Sequence, residues 1–176
     1  MVDGIPVISK KHPINSHYRR SSVTSPYGLT RETQRALKRM ILAARAKGVR
    51  IVVSSAYRSY ATQKALLARK IREYGSEKKA RRYVAAPGRS EHQAGLAVDL
   101  WNGVTRGLAI RNTRTGKWLW RYAWRYGFIL RYTNGKEKIT GYAFEPWHYR
   151  YIGPRAKDFG PNTNLTLEEY LGLVKR

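Results

Sequence analysis

Two short stretches of the chain carry side chains that together could hold a metal ion and activate a water molecule. The first contains His92 and Asp99, and the second contains Glu145 and His148. Two imidazoles and one carboxylate are sufficient to hold zinc while leaving its fourth position to water, and a further carboxylate can take that water's proton. Because Pro146 lacks an N–H, Glu145 and His148 are expected to meet across a turn rather than along a helix.

The local pattern around the first stretch favours a metal over a simple pair. A lone His near an Asp is more often a hydrogen-bonded pair, so His92 and Asp99 alone would be a weak signal. From Gly95 to Leu100, however, large apolar residues alternate with small or polar ones, which predicts a half-buried strand. Leu96, Val98 and Leu100 then share one face, and Asp99 lies on the other beside small Ala97. A carboxylate on an inner face needs a partner, and a metal ion is one.

The remaining histidines and the cysteine count narrow the choice of ligands. His12 and His17 lie in a polar segment with no carboxylate nearby in sequence, so we interpret them as surface or structural residues. The chain has no cysteine. Disulfides and cysteine-ligated zinc are therefore excluded.

The two stretches resemble the signature of a known enzyme family. The string Ser-x-His-x-x-Gly-x-Ala-x-Asp at 90–99, followed by Glu-x-Trp-His at 145–148, is similar to the VanY-type D-alanyl-D-alanine carboxypeptidases. These are zinc enzymes of the hedgehog/DD-peptidase fold. Four further segments share the resemblance in the same order: 55–63, 126–132, 139–142 and 165–171. The resemblance implies one zinc ion per chain, held by His92, Asp99 and His148.

The resemblance also implies roles for the residues around the metal. Glu145 would be the general base and later the acid that protonates the leaving amine. Arg58 resembles the family arginine that supports the scissile carbonyl. Ser90 and Gln63 are candidates for binding the substrate's terminal carboxylate or backbone amides, or alternatively are local hydrogen-bonding residues of a turn or loop.

An α+β fold is expected to position these residues, in one domain with a small, mainly antiparallel sheet and flanking helices. Apolar periodicity and capping residues predict helices at Thr30–Gly48, Ser59–Gly75, about Lys117–Tyr126, and from the Thr166/Glu169 capping box onward. Strands are predicted at Val49–Ser54, Gly95–Leu100, Phe128–Tyr132 and Trp147–Ile152, with a loop over 102–116. The second helix is expected to bury Leu67, Ile71 and Tyr74. The third is expected to bury Leu119, Tyr122, Ala123 and Tyr126.

Length and composition suit one globular domain. With 176 residues and 42% apolar content, the chain can bury a substantial core. We expect residues 1–176 to form a single zinc peptidase domain, in which about the first ten residues are flexible. No run approaches the ~18 apolar residues of a membrane helix. The stretch 1–11 lacks the apolar core of a signal peptide. Because a wall enzyme must be exported, we expect an extracytoplasmic, wall-associated protein in trimmed form, or a phage-encoded one.

Strong positive charge is the second large feature of the chain. The formal net charge is +24, and basic residues cluster from Arg69 to Arg89. Such a field attracts polyanions, so we expect this cluster to hold the enzyme on anionic cell-wall polymers; the plainer interpretation is a solvated face. A nucleic-acid-binding module is a competing class, because Lys and Arg interleaved with Tyr and Trp suit single strands. It would leave the four candidate site residues unexplained, and we find no nucleic-acid motif.

The family resemblance, together with the candidate site residues, implies a zinc-dependent D,D-carboxypeptidase that releases the terminal D-Ala from peptidoglycan stem peptides. Two alternatives share its chemistry: an L,D-carboxypeptidase acting on the tetrapeptide stem and an endopeptidase cutting between L-Ala and D-Glu. All three hydrolyse an amide with the same metal and base, so the pocket for the flanking residues distinguishes them. A metal-binding domain that has lost catalysis is another alternative, and the presence of Glu145 and Arg58 argues against it.

Overall fold

A four-stranded antiparallel sheet lies at the centre of the fold. The protein is represented by a computed structural model that describes residues 1–18, 23–24, 27–161 and 163–174. In chain order, the strands are β1 (Val23–Thr24), β2 (Leu29–Thr30), β3 (Val52–Ser55), β4 (Ala97–Trp101), β5 (Phe128–Leu130) and β6 (His148–Tyr151). The central sheet has the order β3-β4-β6-β5 with every pair antiparallel, and β1 and β2 form a separate antiparallel pair. The predicted α+β architecture is thus confirmed.

Helices flank this sheet. They are α1 (Arg31–Ala46), α2 (Tyr60–Tyr74), α3 (Glu77–Ala80), α4 (Arg114–Tyr122), α5 (Glu137–Thr140) and α6 (Leu167–Tyr170). Short 3-10 helices occupy Glu91–Ala94, Gly107–Asn112, Ala123–Tyr126 and Gly153–Phe159. No helix in the described part of the chain has the length and apolar character needed to cross a membrane.

The helix starts predicted from capping residues are confirmed. Thr30 caps α1 by accepting a hydrogen bond from the Thr33 backbone N–H, and Ser59 caps α2 in the same way. At α6 the complete capping box forms between Thr166 and Glu169. Local side-chain chemistry therefore determines where these three helices begin.

The third predicted helix begins earlier than expected. α4 starts at Arg114, inside the predicted loop, because the Thr113 hydroxyl accepts from the Gly116 N–H at 3.1 Å. Gly116 is inside the helix rather than before it. A Cβ there would lie 2.1 Å from the Ile110 carbonyl oxygen, so the absent side chain permits close packing on the preceding 3-10 helix.

Two burial predictions need correction because α2 and α4 each present part of a predicted apolar face to solvent. In α2, Leu67 is buried, but Ile71 is only half-buried and Tyr74 is exposed. In α4 and the following 3-10 helix, Leu119 and Ala123 are buried, whereas Tyr122 and Tyr126 are half-buried. The rings of Tyr74, Tyr122 and Tyr126 line surface cavities, and Tyr126 also packs against the edge of the main core.

The strand boundaries also shift by a few residues. β3 begins at Val52 rather than Val49, because the Val49 N–H still bonds the Ala44 carbonyl at the end of α1. β4 covers 97–101 rather than 95–100, β5 ends at Leu130, and β6 covers 148–151. Leu96 packs with Ala94 in a small separate cluster rather than with the main core.

The main core lies between the sheet and the helices α1 and α4. It contains Leu37, Met40, Leu100, Leu119 and Phe128, all at most 1% exposed. A second cluster joins N-terminal residues to the C-terminal elements: Ile5, Val7, Ile129, Ala156, Phe159, Leu167 and Leu171. The main core includes Val98 of β4 and Tyr149 of β6, the two neighbouring strands that carry candidate ligands, whereas the second cluster reaches the sheet through Ile129 of β5.

Candidate metal centre

Pairing of β4 with β6 brings two of the predicted ligands side by side. Asp99 and His148 are direct partners in the antiparallel register. Oδ1 of Asp99 lies 3.2 Å from Nδ1 of His148 and 3.4 Å from Nε2 of His92. The two imidazole rings are perpendicular, with centroids 4.9 Å apart. The three ligand atoms all lie within 4.8 Å of one another, so the predicted set converges on one point.

A tight turn holds His92 in this group. His92 lies in the 3-10 helix Glu91–Ala94, which ends at Gly95 with φ of 65°. A Cβ on Gly95 would lie 2.8 Å from the Gly28 carbonyl oxygen, so both the backbone angle and the close approach require glycine. The His92 Nδ1–H donates to the carbonyl of Ala56, which leaves Nε2 free to face Asp99.

The spacing and hydrogen bonding of these atoms fit a tetrahedral zinc ion. Zinc bonds of about 2.0–2.2 Å place neighbouring ligand atoms roughly 3.3–3.6 Å apart. The separations from Asp99 Oδ1 to the two rings, 3.2 and 3.4 Å, are close to that range. Among the described residues this buried oxygen has no hydrogen-bond partner. A divalent cation bound between the two imidazoles would supply the partner that this buried carboxylate oxygen lacks.

The electrostatics of the ligand set depend on its mutual contacts. Burial alone would raise the pKa of Asp99, but the two imidazoles outweigh it and hold that pKa well below its usual range. Burial lowers the pKa of His92, partly offset by Asp99. Burial alone would lower the pKa of His148, but the nearby carboxylates of Asp99 and Glu91 outweigh it and raise that pKa to about 9. The carboxylate is therefore ionised and ready to bind a cation.

Glu145 reaches the same site across a turn. The His148 N–H donates to the Glu145 carbonyl at 3.1 Å, with Pro146 at the second position of the turn, as predicted. Oε2 of Glu145 lies 3.7 Å from Nδ1 of His148. Burial raises the pKa of Glu145 to about 8, partly offset by His148. A carboxyl group with such a pKa beside a metal site can take up and release a proton near neutral pH.

Arg58 is fixed on the other side of the ligand set. Its guanidinium donates to the Ser55 hydroxyl and to the Gln63 side-chain carbonyl, each at 2.8 Å, and lies 3.7 Å from Oδ2 of Asp99. The register between β3 and β4 shifts between Val53 and Ser55, immediately before the segment that carries Arg58. Arg58 lines the same cleft as the ligands, so its charge faces any bound substrate.

The two predicted substrate-binding residues occupy different positions. Ser90 is largely buried but lines the cleft next to His92. Gln63 is buried behind Arg58, and its amide nitrogen donates to the Ala85 carbonyl at 2.6 Å. Because both ends of the Gln63 amide are already hydrogen-bonded, its geometry favours positioning of Arg58 rather than direct contact with substrate.

A buried charge network behind His148 is absent from the sequence-based predictions. Glu91 is fully buried, and its Oε1 accepts from Arg131 at 2.8 Å and from Arg150 at 2.7 Å. Its Oε2 lies 3.5 Å from Nε2 of His148. Arg131 also makes a bidentate pair with Glu168 of α6, at 2.6 and 2.9 Å. The position of Glu91 directly before the ligand His92 is the one sequence signal that could have indicated this network.

These groups open onto a cleft large enough for a short peptide. The cavity has a volume of about 340 Å³. The ligands, Arg58, Ser90 and Glu145 form its floor, and the walls come from Leu66, Lys70, Tyr74, Tyr83, Val84, Ala85, Gly107, Leu108, Tyr132, Tyr142 and Trp147. Mostly apolar and aromatic walls around a few polar groups are typical of a small-ligand site.

Comparison with known sequences finds a matching family model and similar curated proteins. The family model described as "VanY: D-alanyl-D-alanine carboxypeptidase" matches residues 27–154. The chain is 44% identical over 151 residues to the Bacillus subtilis protein YodJ, covering 84% of this chain and 55% of that protein. It is 40% identical over 141 residues to an Enterococcus faecalis D-alanyl-D-alanine carboxypeptidase, with coverage of 76% and 52%. The chain thus spans about half the length of these curated relatives.

Solved structures of similar proteins share the fold. The LdcB LD-carboxypeptidase superposes with a TM-score of 0.84 at 38% identity, covering 96% of this chain and 85% of that one. VanYB in complex with D-alanine-D-alanine superposes with a TM-score of 0.83 at 35% identity, covering 97% and 98%. A VanY D,D-pentapeptidase mutant in complex with Zn(II) gives 0.82 at 35% identity, covering 94% and 97%.

Proposed function

The chain belongs to the VanY family of D-alanyl-D-alanine carboxypeptidases, and we propose that it is a zinc-dependent D,D-carboxypeptidase. Its substrate would be a peptidoglycan stem peptide ending in D-Ala-D-Ala, from which it releases the terminal D-Ala. The observation that carries this proposal is the convergence of His92, Asp99 and His148 with Glu145 at the floor of one cleft.

Zinc is the proposed cofactor, one ion per chain. The two imidazoles and the carboxylate of the ligand set would hold it, and a similar protein carries Zn(II) in its solved structure. When bound, zinc supplies a Lewis acid for the scissile carbonyl and lowers the pKa of a water molecule to about 7. An open fourth position distinguishes such a catalytic site from a closed structural one.

Glu145 performs the proton transfers. Its carboxylate takes the proton of the attacking water as the new C–O bond forms, and then gives it to the leaving amine as the C–N bond breaks. Burial favours the neutral form of Glu145, and a cation bound by the neighbouring His92, Asp99 and His148 would favour the ionised form. The balance of these effects keeps the group able to act first as base and then as acid.

Arg58 stabilises the charge that develops on the carbonyl oxygen. Its two hydrogen bonds to Ser55 and Gln63 fix the guanidinium before substrate arrives, so little reorganisation is needed in the transition state. Ser90, at the cleft wall, is placed to bind the terminal carboxylate or a backbone amide of the peptide.

An L,D-carboxypeptidase acting on the tetrapeptide stem is the second candidate. The chain is similar to the LdcB LD-carboxypeptidase at a TM-score of 0.84 and 38% identity, which favours L,D-carboxypeptidase activity. Its similarity to VanYB in complex with D-alanine-D-alanine is about equal and favours D,D-carboxypeptidase activity. Because the amide chemistry is shared, the residues lining the cleft walls would decide between the two substrates.

The proposed substrate implies where the protein works. Peptidoglycan lies outside the cytoplasmic membrane, so we place the enzyme in the extracytoplasmic space, in association with the cell wall. Its strong positive charge would favour contact with anionic wall polymers.

Digestion of defined stem peptides tests the proposal. Purified protein with equimolar zinc is incubated with tri-, tetra- and pentapeptide stems, and the products are identified by mass. Release of one D-Ala from the pentapeptide alone is the expected result, whereas release from the tetrapeptide alone would establish the second candidate.

Elemental analysis tests the ligand assignment. It should give one zinc per chain, which is lost in His148→Ala and retained in a His12→Ala control. Stoichiometric zinc in His148→Ala would contradict the ligand assignment.

A further inference from the structure

A cationic, aromatic groove lies along α4, away from the catalytic cleft. It consists of two adjoining cavities of about 530 and 510 Å³ that share Arg125 and Tyr126. Neither cavity shares a lining residue with the catalytic cleft, and neither is lined by an acidic residue. We call this surface the α4 groove.

The charge of the α4 groove is uncompensated. Five cations line its first cavity: Lys47, Arg114, Lys117, Arg121 and Arg125. None of them forms an ion pair with a carboxylate within the part of the chain that the structure describes. The sequence explains this, because no Asp or Glu occurs between Asp99 and Glu137.

The cluster Arg69–Arg89, which the sequence favoured as the polyanion-binding surface, is different. There Lys70 pairs with Glu73 at 2.8 Å, and Arg81 pairs with Glu77 at 3.3 Å. Arg82 makes a bidentate pair with Glu137, at 2.8 and 2.9 Å. Part of the positive charge of this cluster is therefore already neutralised, whereas that of the α4 groove is available to an external anion.

The composition of the groove selects the anion. Three of its five first-cavity cations are arginines, whose planar guanidinium matches the geometry of a phosphate. Cations distributed along a groove, rather than gathered at one point, suit a polymer with regularly spaced charges. The chemistry therefore fits a chain of phosphodiesters.

The aromatic rings of the groove are already occupied. Trp118 and Tyr126 stack on each other, with ring centroids 6.0 Å apart. Stacked bases are about 3.4 Å apart, so a base inserted between two rings would need a separation of roughly 7 Å. The gap between these two rings is therefore too small for a base. Arg121 and Arg125 lie over the ring of Tyr122 at 5.7 and 5.3 Å. The groove is thus built to present charge rather than free ring faces, which disfavours a nucleic acid.

We propose that the α4 groove binds a poly(polyol phosphate) chain of the cell wall, and so anchors the enzyme near its substrate. The phosphodiester chemistry is carried by the groove itself, and the choice of a wall polymer among phosphodiester polymers rests on the proposed function.

Matched charge-removal variants of the full chain test this proposal. One variant carries Arg114→Gln, Lys117→Gln, Arg121→Gln and Arg125→Gln. Its control carries Arg69→Gln, Arg72→Gln, Lys78→Gln and Lys79→Gln, four exposed cations with no described ion pair. Binding to soluble poly(glycerol phosphate) and to a dT20 oligonucleotide is measured against salt concentration. If the quadruple α4 variant loses its native circular dichroism spectrum, Arg121→Gln and Arg72→Gln are compared instead.

The α4 variant is expected to bind poly(glycerol phosphate) at least tenfold more weakly than the control variant does. Its slope of log affinity against log salt should fall by about 3, since each lost phosphate contact contributes roughly 0.7–0.9. Turnover of a short soluble stem peptide should be the same in both. Equal losses of binding in the two variants, no loss in the α4 variant, or tighter wild-type binding to dT20 would overturn the proposal. Binding without hydrolysis of any stem would reject the proposed function alone, and hydrolysis without binding would reject the groove alone.

Discussion

Nε2 of His148 lies 3.5 Å from Oε2 of Glu91, on the side of the ring opposite to the atom that faces Asp99. A carboxylate behind a metal-binding imidazole fixes the ring's orientation and tautomer and increases its basicity. Glu91 is in turn held by two buried arginines, so its charge is fixed in place. Burial alone would raise the pKa of Glu91, but Arg131 and Arg150 hold it well below its usual range.

Replacing Glu91 with Gln is expected to weaken zinc binding about 10–100-fold, the usual effect of removing such a partner. It also leaves Arg131 and Arg150 short of a counter-charge, so the melting temperature should fall. Zinc affinity is measured by competition with a chelator. Glu168→Gln is the matched control, because it also deprives Arg131 of a carboxylate but does not touch His148. Equal zinc affinities in the two variants would mean that Glu91 acts only through stability.

Glu145→Gln should keep both zinc and fold while losing about 10²–10⁴-fold in turnover of its stem peptide. The amide is nearly isosteric with the carboxyl group but cannot take the proton of the attacking water. Turnover and metal content are measured on the same preparation, with the exposed Glu73→Gln as a control for carboxylate loss. Near-full turnover in Glu145→Gln would require a different base.

Arg58→Ala is expected to lower turnover about 10²–10³-fold, the usual effect of losing one donor to a developing oxyanion. The metal content should stay normal, because Arg58 contacts Asp99 through Oδ2, while Oδ1 faces the two imidazoles. Gln63→Ala should produce a smaller loss, since it frees the guanidinium without removing it. A Gln63→Ala variant with unchanged kcat and a strongly raised KM would instead indicate direct substrate binding.

Zinc affinity should depend on pH through His148. Burial alone would lower the pKa of this ring, but the nearby carboxylates of Asp99 and Glu91 outweigh it and raise the pKa to about 9 in the metal-free protein. Zinc must therefore displace a proton, and its apparent affinity should rise about tenfold per pH unit up to roughly pH 9.

The stability of the metal-free protein should also depend on pH through His148. The contribution of the protonated ring to stability is fully present below its ordinary pKa, and it is lost as pH rises through about 9.

Glu91→Gln provides a check on this assignment. Removing one of the carboxylates that raise the His148 pKa should move the plateau of zinc affinity to lower pH. Chelator competition across pH 6 to 10 measures both curves, and a plateau at the same pH in wild type and Glu91→Gln would contradict the role of His148.

The convergence of the candidate ligands and the candidate base could be predicted from sequence because the motifs that carry the family resemblance are local. The strand pattern around Asp99 and the turn imposed by Pro146 are properties of a few neighbouring residues. The starts of α1, α2 and α6 were likewise predictable, since a single hydroxyl determines each.

The charge network behind His148 could not be predicted in this way. Glu91 bonds Arg131 and Arg150, which lie 40 and 59 positions away in sequence. In a chain with 35 basic residues, these two arginines look like surface residues until the sheet is assembled. The role of Gln63 was equally hard to predict, because its contact with Arg58 depends on where α2 packs.

The direct pairing of Asp99 with His148 makes metal loading a reporter of how the sheet has folded. A slip of one residue between β4 and β6 would turn one ligand to the opposite face of the sheet and separate the set. Misaligned molecules would then remain without zinc however much metal is supplied. Forty-six residues separate the end of β4 at Trp101 from the start of β6 at His148. The fraction of molecules that bind the ion therefore measures the fraction in which these two strands have paired in the correct register.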